Sequence, residues 1–295
     1  MNINKNKIIL LGGAIAIGAA SLMAVANSDA SGIFPVKLEG KYAFIDTSGK
    51  LRTPPQFDNA GEFNEGRASV QMGQFWGYVD AKGAVQIQPQ FEIADPFSEG
   101  LALVAINKRF GYITSEGKLA IPPQYEGAGG FNEGRAPVLL GAKWGYINKT
   151  NELAITPQFD EAGIFSEGLA LVRMDDRYGY IDRDGNISIP PQFESAGNFE
   201  DGLALAQVNG RYGYIDRKGK LAIAPQFRTA GDFSDGLAAV TVNNRFGYID
   251  RNGKLAIRPQ FDQAGDFSKG LAPVWLGDRK GYIDKRGRYV WNPTA

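Results

Sequence analysis

The chain says nearly the same thing every 34 residues, and the period never slips. Copies begin at Ile33, Arg67, Leu101, Arg135, Leu169, Leu203, Leu237 and Leu271, and the last is cut short at Ala295. A fixed period between about 20 and 50 residues marks a repeat architecture, in which units that cannot bury their apolar surface alone stack on their neighbours. The fold is therefore set by one unit and by the way that unit stacks.

The copy Leu169 to Gly202 serves as a specimen, numbered 1 to 34. Ala170, Val172 and Met174 alternate with a period of two, which is the mark of a strand. Positions 7 and 8 are Gly, Asn or Asp in most copies, the residues that a two-residue hairpin turn requires, so a second strand follows at 9 to 14. Asp182 and Gly185 at positions 14 and 17 form a second turn: Asp bonds its own backbone, and Gly supplies the left-handed residue. A third strand begins at Asn186 and is expected to end at the proline at position 23, here Pro191. This register puts Ala170, Val172, Met174, Ile181, Ile187 and Ile189 on one aliphatic face, with Gly179 making room for Val172. Tyr178 and Tyr180 lie on the other. The remaining stretch, with Phe193, Ala196, Phe199 and Gly202, reads as a compact connector whose rings plug the joint between units.

Function classes are narrowed by what the chain lacks. It has no Cys and no His, which removes thiolate chemistry, disulfides and the commonest general base and metal ligand. Lys plus Arg and Asp plus Glu are both 32, so there is no basic excess of the kind that marks a nucleic-acid binder. The N-terminus is different in kind: Lys5 and Lys7, an uncharged apolar run from Ile8 to Val25, then Ala24-Val25-Ala26. It reads as a secretory signal over 1–26 cleaved after Ala26, followed by a short linker at 27–32 and the repeat domain at 33–295. The competing reading is an inner-membrane anchor formed by residues 8–25. The expected location is the periplasm or the exterior of a bacterial cell.

The recurring pattern resembles the bacterial WG-repeat family, also written KWG. Lys143-Trp144-Gly145-Tyr146-Ile147 spells its name, and Phe75-Trp76-Gly77-Tyr78-Val79 is a second match. Elsewhere Phe110, Tyr178, Tyr212 or Phe246 replaces the Trp and the Gly is kept, while the first copy has Tyr42-Ala43. The resemblance spans Ile33 to the C-terminus. It implies an all-β tandem repeat, common in exported bacterial proteins, and brings no catalytic residue with it.

Most recurring residues have a structural duty: Gly77 and Gly145, the turn pair Asp182 and Gly185, and the plugs Phe193 and Phe199. The candidate partner surface is the aromatic and basic set Trp76, Trp144, Tyr178, Arg109, Arg177, Arg211 and Arg245. Bases at position 9 and acids at position 33 (Glu65, Glu99, Glu133, Glu167, Asp201 and Asp235) are expected to run as opposed ladders that set the register of stacking. Asp182-Arg183-Asp184-Gly185-Asn186 has a flavour of a Ca²⁺ loop but lacks the terminal Glu, and the hairpin explains it in every copy. The acidic departures Glu152 and Asp175-Asp176 sit at turns and form no catalytic pair. No metal and no cofactor is expected.

These readings converge on eight three-stranded antiparallel meanders stacked as an open solenoid or superhelix, the alternative being a closed propeller-like ring of 7–8 blades. Three strands in 34 residues, with no strand exchanged to fasten the ends, favour the open form. The expected function is a non-enzymatic binding or scaffold module for a protein or glycan of the cell envelope. The alternatives are a carbohydrate-active hydrolase using a carboxylate pair, or a purely structural envelope protein.

Overall fold

The computed structural model describes residues 32–294, and every regular element among them is a β-strand. The signal segment expected over 1–26, the apolar run at 8–25 and all but the last residue of the linker lie outside the described residues.

The two turns form as their residues dictate. Asp182 Oδ1 accepts the amides of Asp184 at 3.0 Å and Asn186 at 2.9 Å, and Gly185 closes the turn at φ +88°. Where the fourth copy has Asn148, its Oδ1 takes the amides of Thr150 and Glu152 in the same way. The register between the first two strands pairs Ala170 with Ile181, Val172 with Gly179 and Met174 with Arg177.

The third strand corrects the sequence reading in three respects. It runs on through the proline, as Ile187–Phe193. It is the outermost strand of its sheet, where proline's missing N–H leaves no ladder partner unmet. Its pairing slips between Ile181↔Ile187 and Tyr180↔Ile189. The slip sends Ile189 into the core, 1% exposed, and leaves Ile187 outside at 44%. The bulged strand also crosses directly over Gly179, where a Cβ would stand 2.6 Å from Ile189 O and Pro191 N. Close approach of the third strand, rather than room for Val172, requires that glycine.

The connector is the larger correction. Glu161–Ser166 is a strand, paired with Leu169–Met174 of the following repeat through Glu161↔Arg173, Ala162↔Val172 and Phe165↔Ala170, with a bulge after Ala162. In five blades the preceding repeat thus lends a strand to the next sheet, giving four strands, while beside Ala136–Leu140 and Leu237–Val242 the connector makes only isolated bridges. Successive connector strands touch: Ser166 Oγ donates to Phe199 O at 2.5 Å, and Ser234 Oγ to Phe267 O at 2.6 Å. They line the axis, and the strands through Pro191 and its equivalents lie outermost.

A tyrosine joins each blade to the next. Tyr180 OH donates to Gly197 O at 2.7 Å, and its ring sits 4.8 Å from Phe199 on the next inner strand. The same joint recurs at Tyr78 with Phe97, Tyr112 with Phe131, Tyr146 with Phe165, Tyr214 with Phe233 and Tyr248 with Phe267. Each fully buried ring contributes on the order of 1.5–3 kcal/mol by removal from water. Tilted aromatic packing adds about 0.5–1.5 kcal/mol per pair.

The joint appears once more where the ends of the array meet. Tyr282 OH donates to Pro35 O at 2.9 Å, and its ring stands 5.6 Å from Phe34. Phe34, Val36, Ala43 and Ile45 share a core with Leu271 and Tyr282, while Ile33, Phe44 and Phe57 pack on Phe63, Ala68, Val70 and Val79. The sheet Ile33–Leu38 with Lys41–Asp46 is therefore wedged between the last blade and the first. The molecule is a closed β-propeller, not an open solenoid or superhelix. Seven blades of three or four strands run from Asn59 to Thr294, and the two-stranded sheet completes the ring. No strand is exchanged between the chain ends, as the sequence suggested; the ring is fastened instead by the shared core and the Tyr282 bond to Pro35.

Candidate functional site

Antiparallel hairpins give the ring two unlike faces. One face carries the two-residue turns at positions 7 and 8, with the bases at position 9 beside them. These bases do not meet the acids at position 33, as the ladders required; they meet acids at position 26. Arg109 pairs with Glu126 at 3.0 Å, Lys143 with Asp160 at 2.6 Å, Lys41 with Asp58 at 2.5 Å, and Arg245 with Asp262. The acid also takes an amide of the following turn: Asp58 from Gly73 at 2.8 Å, Glu92 from Lys108 at 2.9 Å, Asp262 from Gly277 at 2.8 Å. Glu194 takes two, from Asn209 and Gly210. The Lys41 bond, followed by the Gly73 amide, holds the Asp58 carboxyl below the usual carboxylate range.

One blade breaks this rule. Position 26 after the blade that holds Arg211 is Arg228, and a cavity of about 350 Å³ opens between the two arginines and the turn Asn243-Asn244. Of the anticipated basic residues, Arg109 and Arg245 are therefore tied into ion pairs, and Arg211 lines a cavity. Arg177 is exposed without an ion pair among the described residues.

The anticipated aromatics belong mostly to the joints between blades. Trp144 is 5% exposed and packs in one core with Phe159 and Phe165. Trp76 is half-buried against the core of Phe91 and Phe97, and Tyr178, also half-buried, donates its hydroxyl to Glu161 at 2.7 Å. Trp144 is withdrawn from solvent, whereas Trp76 and Tyr178 keep part of their surface exposed. Gly77 and Gly145 lie under the outer strand as Gly179 does, and Phe193 and Phe199 are core residues.

The other face carries the Asp-Gly turns and the acids at position 33. Glu133 accepts the amide of Gly168 at 3.0 Å and the Arg183 guanidinium at 2.6 Å. Glu99 does the same with Gly134 and Lys149. These acids do meet bases of neighbouring blades, but the bases come from position 15. Outside this inner circle lies an apolar one. Seven of the ten exposed large hydrophobic residues are at position 19: Leu51, Leu119, Leu153, Ile187, Leu221, Leu255 and Tyr289. Next to the last three stand the exposed bases Lys218, Lys220, Arg251, Lys254, Lys285 and Arg286.

A third feature escaped the sequence reading. The innermost segments of the blades carry Glu62, Asp232 and Asp266 at position 30, Glu200 at position 32 and Asp95 at position 29. Burial pushes Asp232 up to about 7 and Asp266 and Asp95 to about 6; Asp266 adds to the effect on Asp232, and Glu62 to that on Asp266. Burial, then repulsion from Asp232 and Asp266, raises Glu200 to about 8. One oxygen of Asp232, Oδ1, is sealed from solvent without a hydrogen-bond partner. Nearby, burial lowers the Lys280 ammonium below the usual lysine range, while Glu62 acts to raise it. The sequence signal was a departure from the repeat at positions that seemed to be connector. No group of three or more acids among the described residues is arranged to hold a metal ion.

A family model described as the WG containing repeat matches seven successive segments: 42–74, 76–109, 110–144, 144–178, 178–212, 212–246 and 246–278. The chain belongs to the WG-repeat family. No curated protein matches it. Among solved structures, the WG-repeat ring is similar to the dihydro-heme d1 dehydrogenase NirN, with a TM-score of 0.59 and 13% identity over 93% of this chain and 76% of that one. It is also similar to a eukaryotic initiation factor, with a TM-score of 0.54 and 11% identity over 89% and 85% of the two chains. Hsv2p of Kluyveromyces lactis has a TM-score of 0.50 and 9% identity over 76% and 91%. At such identities the likeness is one of fold alone.

Proposed function

We propose that this WG-repeat propeller is an exported, non-enzymatic binding and scaffold module that docks a protein partner in the cell envelope. The observation that carries this reading is the circle of aliphatic side chains on one face, 44–52% exposed from Leu51 to Leu255. A repeat that returns a large apolar residue to water in nearly every blade bears a standing cost, offset when a partner covers the circle. A protein fits this surface better than a glycan, because the aromatic residues that would stack on sugars are largely withdrawn into the joints. The bases beside Leu221, Leu255 and Tyr289 favour a partner with an acidic rim. Export rests on the basic start, apolar run and Ala24-Val25-Ala26 site.

The test is chemical crosslinking in intact envelopes of the wild type and of a variant combining Leu221→Ser, Leu255→Ser and Tyr289→Ser. A discrete adduct lost in the variant is expected. The same protein incubated with a panel of envelope glycans tests the hydrolase alternative, which would draw on Glu200, Asp232 and Asp266. Release of products abolished by Asp232→Asn would overturn the non-enzymatic reading.

A further inference from the structure

The blade containing Arg211 departs from a rule that the rest of the ring states clearly. In the other copies position 26 is an acid: Asp58, Glu92, Glu126, Asp160, Glu194 and Asp262. Where the contacts are complete, its carboxylate sits between a basic head at position 9 and the turn amides of the next repeat. Asp262 accepts both Arg245 and the Gly277 amide, and Asp58 both Lys41 and the Gly73 amide. The ring thus shows several times what kind of group belongs between those donors.

At Arg228 the donors remain and the acceptor is gone. Arg211 is the base of position 9. Asn243 and Asn244 make the turn, both left-handed at φ +52° and +61°. Asn107 and Lys108 have almost the same angles, and there the Lys108 amide points to Glu92. The amides of Asn243 and Asn244 carry no hydrogen bond to a side chain, and neither arginine has an ion pair with an acid among the described residues. Replacing the acid by Arg228 goes further than removing it, since a second guanidinium now faces the same space. Phe227, 7% exposed, closes the floor. The cavity of about 350 Å³ is within the range of small-ligand sites.

We propose that Arg211, Arg228 and the Asn243-Asn244 turn form a binding site for an oxyanion, the carboxylate or phosphate group of a small anionic ligand. The ligand's oxygens take the position that Asp58 and Asp262 hold elsewhere. Arginine's planar fork suits two-oxygen groups, and paired guanidiniums with backbone amides discriminate an oxyanion from chloride by geometry. This deepens the binding reading by naming one class of group, and it concerns the opposite face from the apolar circle. Its test is therefore independent of whether any protein partner is captured.

The experiment is an amide-resolved NMR titration of the full chain at constant ionic strength in chloride. Inorganic phosphate is the probe in one arm and acetate in the other. Saturable shifts of the Asn243 and Asn244 amides are expected with at least one oxyanion, and the arm with the tighter curve assigns the preferred group. The Gly73 and Gly277 amides, which keep their own carboxylates, stay still. Arg228→Asp restores the acid used elsewhere, so it folds and should weaken binding about tenfold or more; Arg228→Ala, which adds no charge, is the second variant. Asp262→Arg should confer a new saturable shift on the Gly277 amide. The site is refuted if neither oxyanion shifts Asn243 and Asn244 more than Gly73 and Gly277, or if the curves are unchanged in R228D and R228A.

Discussion

Asp232→Asn should make the ring more stable at pH 8 and less sensitive to pH. The native Asp232 carboxyl is raised by burial, and then by Asp266, from 3.8 to about 7. A carboxyl raised in the native state contributes stability that is fully present below about pH 4 and lost as pH climbs through about 7, because the unfolded chain gives up the proton first. At about 1.36 kcal/mol per unit, a shift from 3.8 to about 7 amounts to at most about 4 kcal/mol by pH 8. The neutral amide keeps the volume and removes this term. Urea unfolding at pH 5 and pH 8 measures it. In the wild type the free energy should fall from pH 5 to pH 8, and in D232N the fall should shrink by about 2–3 kcal/mol, since part of the effect is already lost by pH 5. Asp266, raised to about 6, and Glu200, to about 8, leave a smaller slope of the same sign. A wild type equally stable at both values, or a variant that loses stability at pH 8, would refute the placing of this carboxylate in a desolvated axis.

Tyr282→Phe tests closure directly. It deletes the hydroxyl bonded to Pro35 O and should cost about 1–2 kcal/mol. Tyr214→Phe, which deletes the equivalent bond to Gly231 O, should cost the same, whereas an open array would feel only the second. Gly145→Ala should cost about 3 kcal/mol, since its Cβ would meet Ile155 O at 2.6 Å and Pro157 N at 2.8 Å, both backbone atoms. Gly141→Ala, at φ +66° with open space around it, should cost only about 1 kcal/mol in the same thermal melt. Changing Leu221 and Leu255 together to Ser should leave the melting temperature within a degree or two, because both residues are already in water.

The local structure was legible because its signals are local. Asp182 with Gly185, and the Asn and Gly residues at positions 7 and 8, carry their turn geometry in their own chemistry, so three strands and the register of the first two could be read. The connector hid its strand because the bulge between Ala162 and Phe165 destroys the period of two on which strand reading depends. Ile187 was misplaced by a second irregularity, the slip before Ile189. Ring and spiral differ by a small rotation per repeat, summed over the whole array, and no single residue encodes that sum. At the functional level, the arginines at position 9 were visible but their partners were sought at position 33, on the wrong face. Arg228 and the axial acids were detectable only as departures from the pattern, and their positions looked like connector until the connector proved to be the innermost strand.

The two-stranded sheet at the joint has a consequence for the order of assembly. Each blade needs only a strand from the repeat before it, so blades can form one after another as the chain emerges from the ribosome. The sheet at Ile33–Leu38 is made before any of them, yet it meets Tyr282 across a separation of 247 residues. That contact waits for the last repeat, and by then nearly all the rest of the ring is in place to bring the two ends together. The earliest repeat-domain residues synthesised are thus among the last to be buried, and during that interval Phe34, Val36 and Ile45 offer an apolar sheet face that a chaperone, or the last blade of another copy, could take.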